Sequence, residues 1–216
     1  MVEAQRVMSH DTWVHRLVRP AMRPLARSRI TPNHITWLRL LGGLSAAAAF
    51  AHGDDLWRNW GAGIFLVSFL LDRADGELAR LSGTKSAFGH KLDLVSDALS
   101  NSFAFIALGV GLRHGFFGTW AFAMGAVAGL AVAAVLVMVM RIEALEGERS
   151  AELRGTAGFD PDDAMLLVPL FIWLGLEEPL LVLAAAGAPL FCLVFAAKLR
   201  RRLIDTVGRG GGSSGS

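Results

Sequence analysis

Asp72-Arg73-Ala74-Asp75-Gly76-Glu77-Leu78-Ala79-Arg80, eight further residues, then Gly89-His90-Lys91-Leu92-Asp93-Leu94-Val95-Ser96-Asp97 is the stretch that decides the fold. Its aspartates recur three and four apart, as two pairs, each at the edge of an apolar run. On a helix, residues at these spacings share a face. Asp72 and Asp75 therefore point one way from one helix, and Asp93 and Asp97 one way from the next. The short connection predicts that the two helices are antiparallel neighbours whose four carboxylates converge. Converging anions are costly unless something positive lies between them. A divalent metal is the simplest answer.

Working outward, the 216 residues are 53% hydrophobic, with a net charge of +2 and a mean hydropathy of +0.46. That is too apolar for an ordinary soluble domain. Apolar runs at about 34–52, 60–79, 92–112, 117–140, 163–176 and 178–197 approach or reach bilayer-spanning length. The expected fold is an all-α integral membrane protein of six transmembrane helices, preceded by an amphipathic juxtamembrane helix. Basic residues are strongly asymmetric under this reading. Arg6 to Arg29, Arg80, Lys85, Lys91, Arg141, Arg149, Arg154 and Lys198 to Arg202 fall on one side, with Arg58 and Arg113 on the other. The positive-inside rule then places both termini and the aspartate-rich stretch at the cytoplasmic face of a cell membrane. Cys192 is the single cysteine, so it packs and forms no disulfide within the chain. The charged N-terminus lacks the apolar core of a cleavable signal.

Three regions are expected. Residues 1–30 mix apolar positions (Trp13, Leu17, Leu25) with arginines at helical spacing, as in a helix lying on anionic lipid. A basic flank that only sets topology accounts for them equally well. Residues 31–203 form the helical domain, opening with Thr31 as N-cap and Pro32 in the first turn, and Arg39 reaches to the membrane interface. Trp57 and Trp60 mark an outer loop, and the Ala- and Gly-rich Ala121–Met140 predicts close helix packing. Residues 204–216 decay into a Gly/Ser tail.

The depth of the site follows from helix rise. Asp72 lies about 12 Å of helix from Arg80, and Asp97 about 9 Å from Lys91. The carboxylates should thus meet just inside the membrane boundary, in a cavity open to the cytoplasm. Oxygen ligands without a His or Cys cluster suit Mg²⁺, Mn²⁺ or Ca²⁺ rather than zinc, and four carboxylates can hold two ions. Gly76 and Gly89 leave room for a ligand to approach the backbone. Arg80 can flank the cavity as a phosphate clamp. Carboxylates, metal, arginine and glycine together describe phosphoryl transfer. Asp97 is the candidate base for an attacking hydroxyl. The bland alternative, interfacial aspartates paired with Arg73, Arg80 and Lys91, accounts for any one aspartate but not for four at these spacings.

The segment resembles the signature of the CDP-alcohol phosphotransferase (phosphatidyltransferase) family, D-x2-D-G-x2-A-R-x8-G-x3-D-x3-D, at every fixed position: Asp72, Asp75, Gly76, Ala79, Arg80, Gly89, Asp93 and Asp97. The resemblance covers about residues 31–203. It implies a membrane enzyme, a homodimer, that moves a substituted phosphate from a CDP-linked lipid donor to an alcohol acceptor and releases CMP. It also implies that Asp72, Asp75, Asp93 and Asp97 are metal ligands and Asp97 the base. Gly76 and Arg80 match donor-holding positions, and Thr31, Pro32, Asn33, Ser86 and Gly89 match further donor-side ones. Membrane lipids are the expected surroundings, and no nucleic-acid partner is expected.

For the acceptor, members that use glycerol phosphate or inositol phosphate resemble this chain at Arg141, Glu143 and Gly158-Phe159. Where they place basic residues next, this chain has Asp160, Asp162 and Asp163. An acidic stretch repels an anionic acceptor, so Asp162 and Asp163 favour a neutral polyol or an amine-bearing alcohol, unless Asp160–Asp163 merely caps the fifth helix, which accounts for them equally well. The alternative is a phosphatidylglycerophosphate- or phosphatidylinositol-phosphate-type synthase with a phosphorylated acceptor, Arg141, Arg149 or Arg154 compensating. A divalent-cation transporter would need acidic residues spread through the membrane depth. An intramembrane prenyltransferase would not need Gly76, Arg80 and Gly89 in this register.

Overall fold

The computed structural model describes Pro20, Met22, Pro24, Leu25 and Ser28, then residues 30–84, 86–147 and 161–210. Apart from those first five positions, the amphipathic segment expected over 1–30 lies outside the described residues. So do Lys85, Arg149, Arg154, Gly158, Phe159, Asp160 and the last residues of the tail, and for Asp162 only the backbone is described.

The chain folds as helices throughout: α1 (Pro32–His52), α2 (Asp55–Ser82), α3 (Ala87–Gly111), α4 (Trp120–Glu146), a 3-10 turn (Pro161–Leu166), α5 (Leu167–Trp173) and α6 (Glu177–Gly210). Among the described residues there is no strand. The helix ends follow local chemistry. Thr31 is extended (φ −95°, ψ 155°) before Pro32 opens α1, where a missing N–H costs nothing. Gly83, at φ +68°, ends α2 in the left-handed conformation that glycine adopts without penalty. Ser86 then caps α3, its Oγ accepting the Gly89 N–H at 3.0 Å.

Packing closes the helices into a ring. α1 packs on both α2 and α3, α3 on α4, α4 on α6, α6 on α5, and α5 on α2. The expectation that α2 and α3 are direct neighbours is corrected here, because α1 is the helix that packs on both. Two physical reasons account for it. Four connecting residues can span roughly 13 Å, enough to leave a gap between the helices. The small residues of α1 also allow close approach on both sides: a Cβ on Gly42 would meet Ser68 Cβ at 3.5 Å, and Gly43 sits against Ser100. The α3–α4 contact is as close as the Ala/Gly composition predicted, a Cβ on Gly125 meeting Gly109 Cα at 3.0 Å.

One end of the ring is apolar and tied. Phe50, Phe65, Leu108 and Leu181 are buried there among alanines. Three turns meet beyond them: Arg58 pairs with Glu177 at 3.0 Å, Glu178 Oε1 accepts the Phe116 N–H at 2.7 Å, and Trp173 Nε1 donates to the Asn59 carbonyl at 3.3 Å. Exposed Trp57, Trp60, Phe116, Trp120 and Trp173 gather at this end, as aromatic rings do at a membrane boundary.

Among the described residues, three helices are long and apolar enough to cross a membrane: Ala87–Gly111, Trp120–Ala144 and Glu177–Arg200. The six expected spans are thus met in part. α1 and α2 have 21 and 28 residues, but Arg39 in α1 and Asp72, Arg73, Asp75 and Glu77 in α2 lower their apolar content. The fifth run is a short apolar segment, Asp163–Trp173, because its first turns wind as a 3-10 helix and Gly175, at φ +68°, ends it. The outer faces are apolar, with Leu38, Leu41, Val67, Leu130, Leu190 and Leu193 exposed.

Candidate active site

The other end of the ring holds a cavity of about 720 Å³ that runs inward between the helices. Its polar wall comes from α1, α2 and α3: Asn33, Asp72, Asp75, Arg80, Asp93 and Asp97. Its apolar wall comes from α4, α5 and α6, with Val135, Val139, Phe171, Leu183, Phe191 and Phe195 among the lining residues.

Oxygens of Asp72, Asp75 and Asp93 lie within 4.8 Å of one another, so the first sequence pair converges with one member of the second, across a gap rather than across a packed seam. Arg39 fills the back of that gap. Only 2% exposed, it pairs with Asp72 and with Asp93 Oδ1 at 3.1 Å, and its Nη2 donates to the Asp93 carbonyl at 2.7 Å. Its expected reach to the membrane interface is therefore replaced by burial between the two carboxylates. Thr36, one helical turn earlier, donates its hydroxyl to Asp75 Oδ2 at 2.7 Å. Arg73 sits behind Asp72 at 3.5 Å and holds Asp163 at 3.2 Å, with its guanidinium over the Phe69 ring.

Does this donor set fit a metal? Three carboxylates, one nearly buried and two half-buried, face one another with Arg39 shared by two of them and Arg73 shared with Asp163. The protein's own cations leave the cluster negative, and every candidate ligand is a hard oxygen. Mg²⁺ or Mn²⁺ fits such a set, while a soft metal does not.

Other expected residues are placed as follows. Asp97 lines the same cavity but is outside the close triad, its Oδ1 accepting from Asn101 Nδ2 at 3.0 Å. Gly76 lines the cavity, and a Cβ there would meet nothing within 4 Å. A Cβ on Gly89 would meet Asn33 Oδ1 at 3.0 Å, so its absence lets Asn33 approach. Arg80 lines the mouth, paired with the buried Glu77. Pro32, Asn33 and Ser86 line the cavity, whereas Thr31 acts as the cap of α1 and is outside the lining. Glu143 lines the cavity with both oxygens on His90 Nε2, at 2.9 and 3.0 Å. Arg141 is exposed and outside the lining, and Asp163 is 8% exposed, turned to Arg73 rather than into the cavity.

Thr36, Asn101 and His90 were missed from the sequence, and the role of Arg39 was misread. Helical spacing carried the signal: Thr36 and Arg39 share a face of α1, and Asn101 is one turn beyond Asp97. Nothing in the sequence alone says that this face of α1 meets the aspartates.

The ring and its cavity define a class, helical proteins with membrane-length apolar helices around a cavity that is acidic on one side and apolar on the other. The sequence pattern of the CDP-alcohol phosphatidyltransferase family matches residues 29–196, and the chain belongs to that family. It is 39% identical over 67 residues to the CDP-diacylglycerol--glycerol-3-phosphate 3-phosphatidyltransferase of Cereibacter sphaeroides, a stretch covering 31% of this chain and 30% of that protein.

Proposed function

We propose that this protein transfers a phosphatidyl group from a CDP-linked lipid donor to an alcohol and releases CMP. The observation that carries this reading is the two-sided cavity, with Asp72, Asp75 and Asp93 converging at one end and an apolar wall from α4, α5 and α6 continuing from it. A nucleotide pyrophosphate suits the first and acyl chains the second. A bound divalent ion, or two, held by Asp72, Asp75 and Asp93 with Asp97 nearby, would supply charge neutralisation at the pyrophosphate. Arg80 and the open backbone at Gly76 hold the donor's phosphate and cytidine side, with Asn33, Ser86 and Gly89 alongside. Asp97, oriented by Asn101, accepts the proton of the acceptor hydroxyl. That oxygen forms the new bond to the lipid-side phosphorus, and the P–O bond to CMP breaks.

The six apolar runs are read as spanning the membrane, the fifth with help from its 3-10 turn, with the cavity mouth and both termini on the cytoplasmic side by the distribution of basic residues. The enzyme is read as a homodimer on the strength of the family resemblance.

A phosphorylated acceptor, glycerol 3-phosphate, is the reading favoured for the second substrate. Two observations support it: the relative from Cereibacter sphaeroides is named for that acceptor, and Asp163 is engaged by Arg73 rather than presented to the cavity. The acidic stretch Asp160–Asp163 supports a neutral or amine-bearing acceptor instead. Purified protein given CDP-diacylglycerol with Mg²⁺ or Mn²⁺ should release CMP only when an acceptor is added. A panel of glycerol 3-phosphate, inositol phosphate, serine, choline and neutral polyols separates the two readings. CMP release with no acceptor in the panel would sink both.

A further inference from the structure

Arg39 is an unusual neighbour for a cluster that is meant to receive cations. A guanidinium within contact of two candidate ligands repels an arriving divalent ion, and no other role in the reaction has used it. It is nevertheless built in. It is 2% exposed, it touches Asp72 and Asp93 from the helix that packs between their own two helices, and Ser68 Oγ donates to its backbone carbonyl at 2.8 Å. α2 and α3 each pack on α1 rather than on one another. Arg39 is the side chain through which their carboxylates are joined.

We infer that Arg39 is a resident counter-cation and positioning residue: it holds Asp72 and Asp93 together before any metal binds, and it weakens metal binding as the cost of doing so. This rests on the metal reading proposed above. With the guanidinium in place, three carboxylates can face one another in the metal-free protein without forcing the helices apart. The same positive charge opposes the incoming ion, which keeps the site from gripping metal so tightly that donor and product cannot exchange. Any ligand that binds the folded state adds stability in proportion to its affinity. Removing Arg39 should therefore make the fold more dependent on metal, and metal affinity should rise.

The sign of that second effect distinguishes the proposal from a merely structural role. A residue that only props up the site would, when removed, let the aspartates scatter and weaken metal binding. A counter-cation, when removed, leaves uncompensated carboxylates that bind metal more tightly. The test uses the full-length protein in detergent, with Mn²⁺ as the probe, and measures calorimetric Mn²⁺ affinity and the thermal midpoint with and without chelator. Arg39→Gln should bind Mn²⁺ at least about tenfold more tightly than wild type, from the loss of one near charge. Its midpoint should fall with chelator and recover with Mn²⁺, while wild type shifts less. Arg39→Lys keeps the charge and should retain the wild-type affinity within about threefold, and it serves as the folded control if Arg39→Gln is recovered poorly. Equal or weaker Mn²⁺ binding by Arg39→Gln, with wild type binding normally, would overturn this inference and leave the proposed function intact. If Arg39→Gln cannot be purified, an Arg39→Lys affinity weakened well beyond threefold would overturn it in the same way. No Mn²⁺ binding by wild type would overturn both.

Discussion

The two walls of the cavity are held by different physics. On the α1–α3 wall nearly every side chain that matters has a polar partner: Asp75 with Thr36, Asp93 with Arg39, Asp97 with Asn101. Positions there are set to within a hydrogen bond, and a change of one atom is felt. On the α4–α6 wall the lining, Glu143 apart, is aliphatic and aromatic, with Val135, Val139, Leu183 and Phe191 presenting volume and no direction. Positions there are set by packing, and many side chains of similar size would serve. A wall of charges selects chemistry, whereas a wall of methyl groups selects length and bulk.

The largest effect should come from the charged wall. Asp72→Asn, Asp75→Asn or Asp93→Asn each keeps shape and removes a charge from the triad. CMP release from CDP-diacylglycerol should fall by about 10³-fold or more, because metal-supported charge neutralisation is usually the largest part of such catalysis. Mn²⁺ binding should be lost in calorimetry. A variant that kept half its activity would remove that aspartate from the site.

The charged wall was also the legible one. The spacing pointed to one face per helix, and three of its four aspartates, Asp72, Asp75 and Asp93, do converge, since carboxylates that recur beside apolar sequence are costly unless something shared offsets them. Thr31 and Pro32 announced the start of α1 through equally local chemistry, a cap and a ring-fixed first turn. Arg39 could not be read this way. One arginine early in an apolar helix has two homes, the lipid interface or an internal anion, and only the packing of α1 against both α2 and α3 decides between them. The apolar wall was legible only as greasy helix, because Val, Leu and Ala run around α4 and α6 with little to say which side faces lipid and which faces the cavity. The partner of Asp163 was equally hidden. Its neighbours in sequence suggested an acceptor site, while its partner in space, Arg73, lies 90 residues away.

Asp97→Asn sharpens the division within the charged wall. It lies outside the close triad, so Mn²⁺ binding should persist, weakened by no more than about tenfold from the loss of one neighbouring charge, while turnover falls by about 10²-fold or more, the usual range for loss of a general base. Loss of Mn²⁺ binding in step with turnover would make Asp97 a ligand first.

Asp163→Asn asks which wall that residue serves. Breaking a buried ion pair costs about 3 kcal/mol at the low end of the usual range, and Arg73 keeps Asp72 and the Phe69 ring as partners. The thermal midpoint should drop by several degrees, while the order of preference among acceptors is unchanged. An altered acceptor preference at unchanged stability would move Asp163 from scaffold to substrate site and revive the neutral or amine-bearing acceptor.

The smallest effect should come from the apolar wall, and its form matters more than its size. Gly187 lines the cavity on α6, and a Cβ there meets nothing within 4 Å. Gly187→Leu should therefore fold, gaining a little helix propensity, while its side chain takes up apolar space in the cavity. If that space receives acyl chains, the KM for a long-chain CDP-diacylglycerol should rise by about tenfold, within the range for one or two lost methylene contacts. A short-chain donor should be affected little, and kcat should stay near wild type for both, because nothing on the charged wall has moved. An equal penalty for long and short chains would mean that the α4–α6 wall closes the ring without touching the lipid, leaving selection to the aspartates alone.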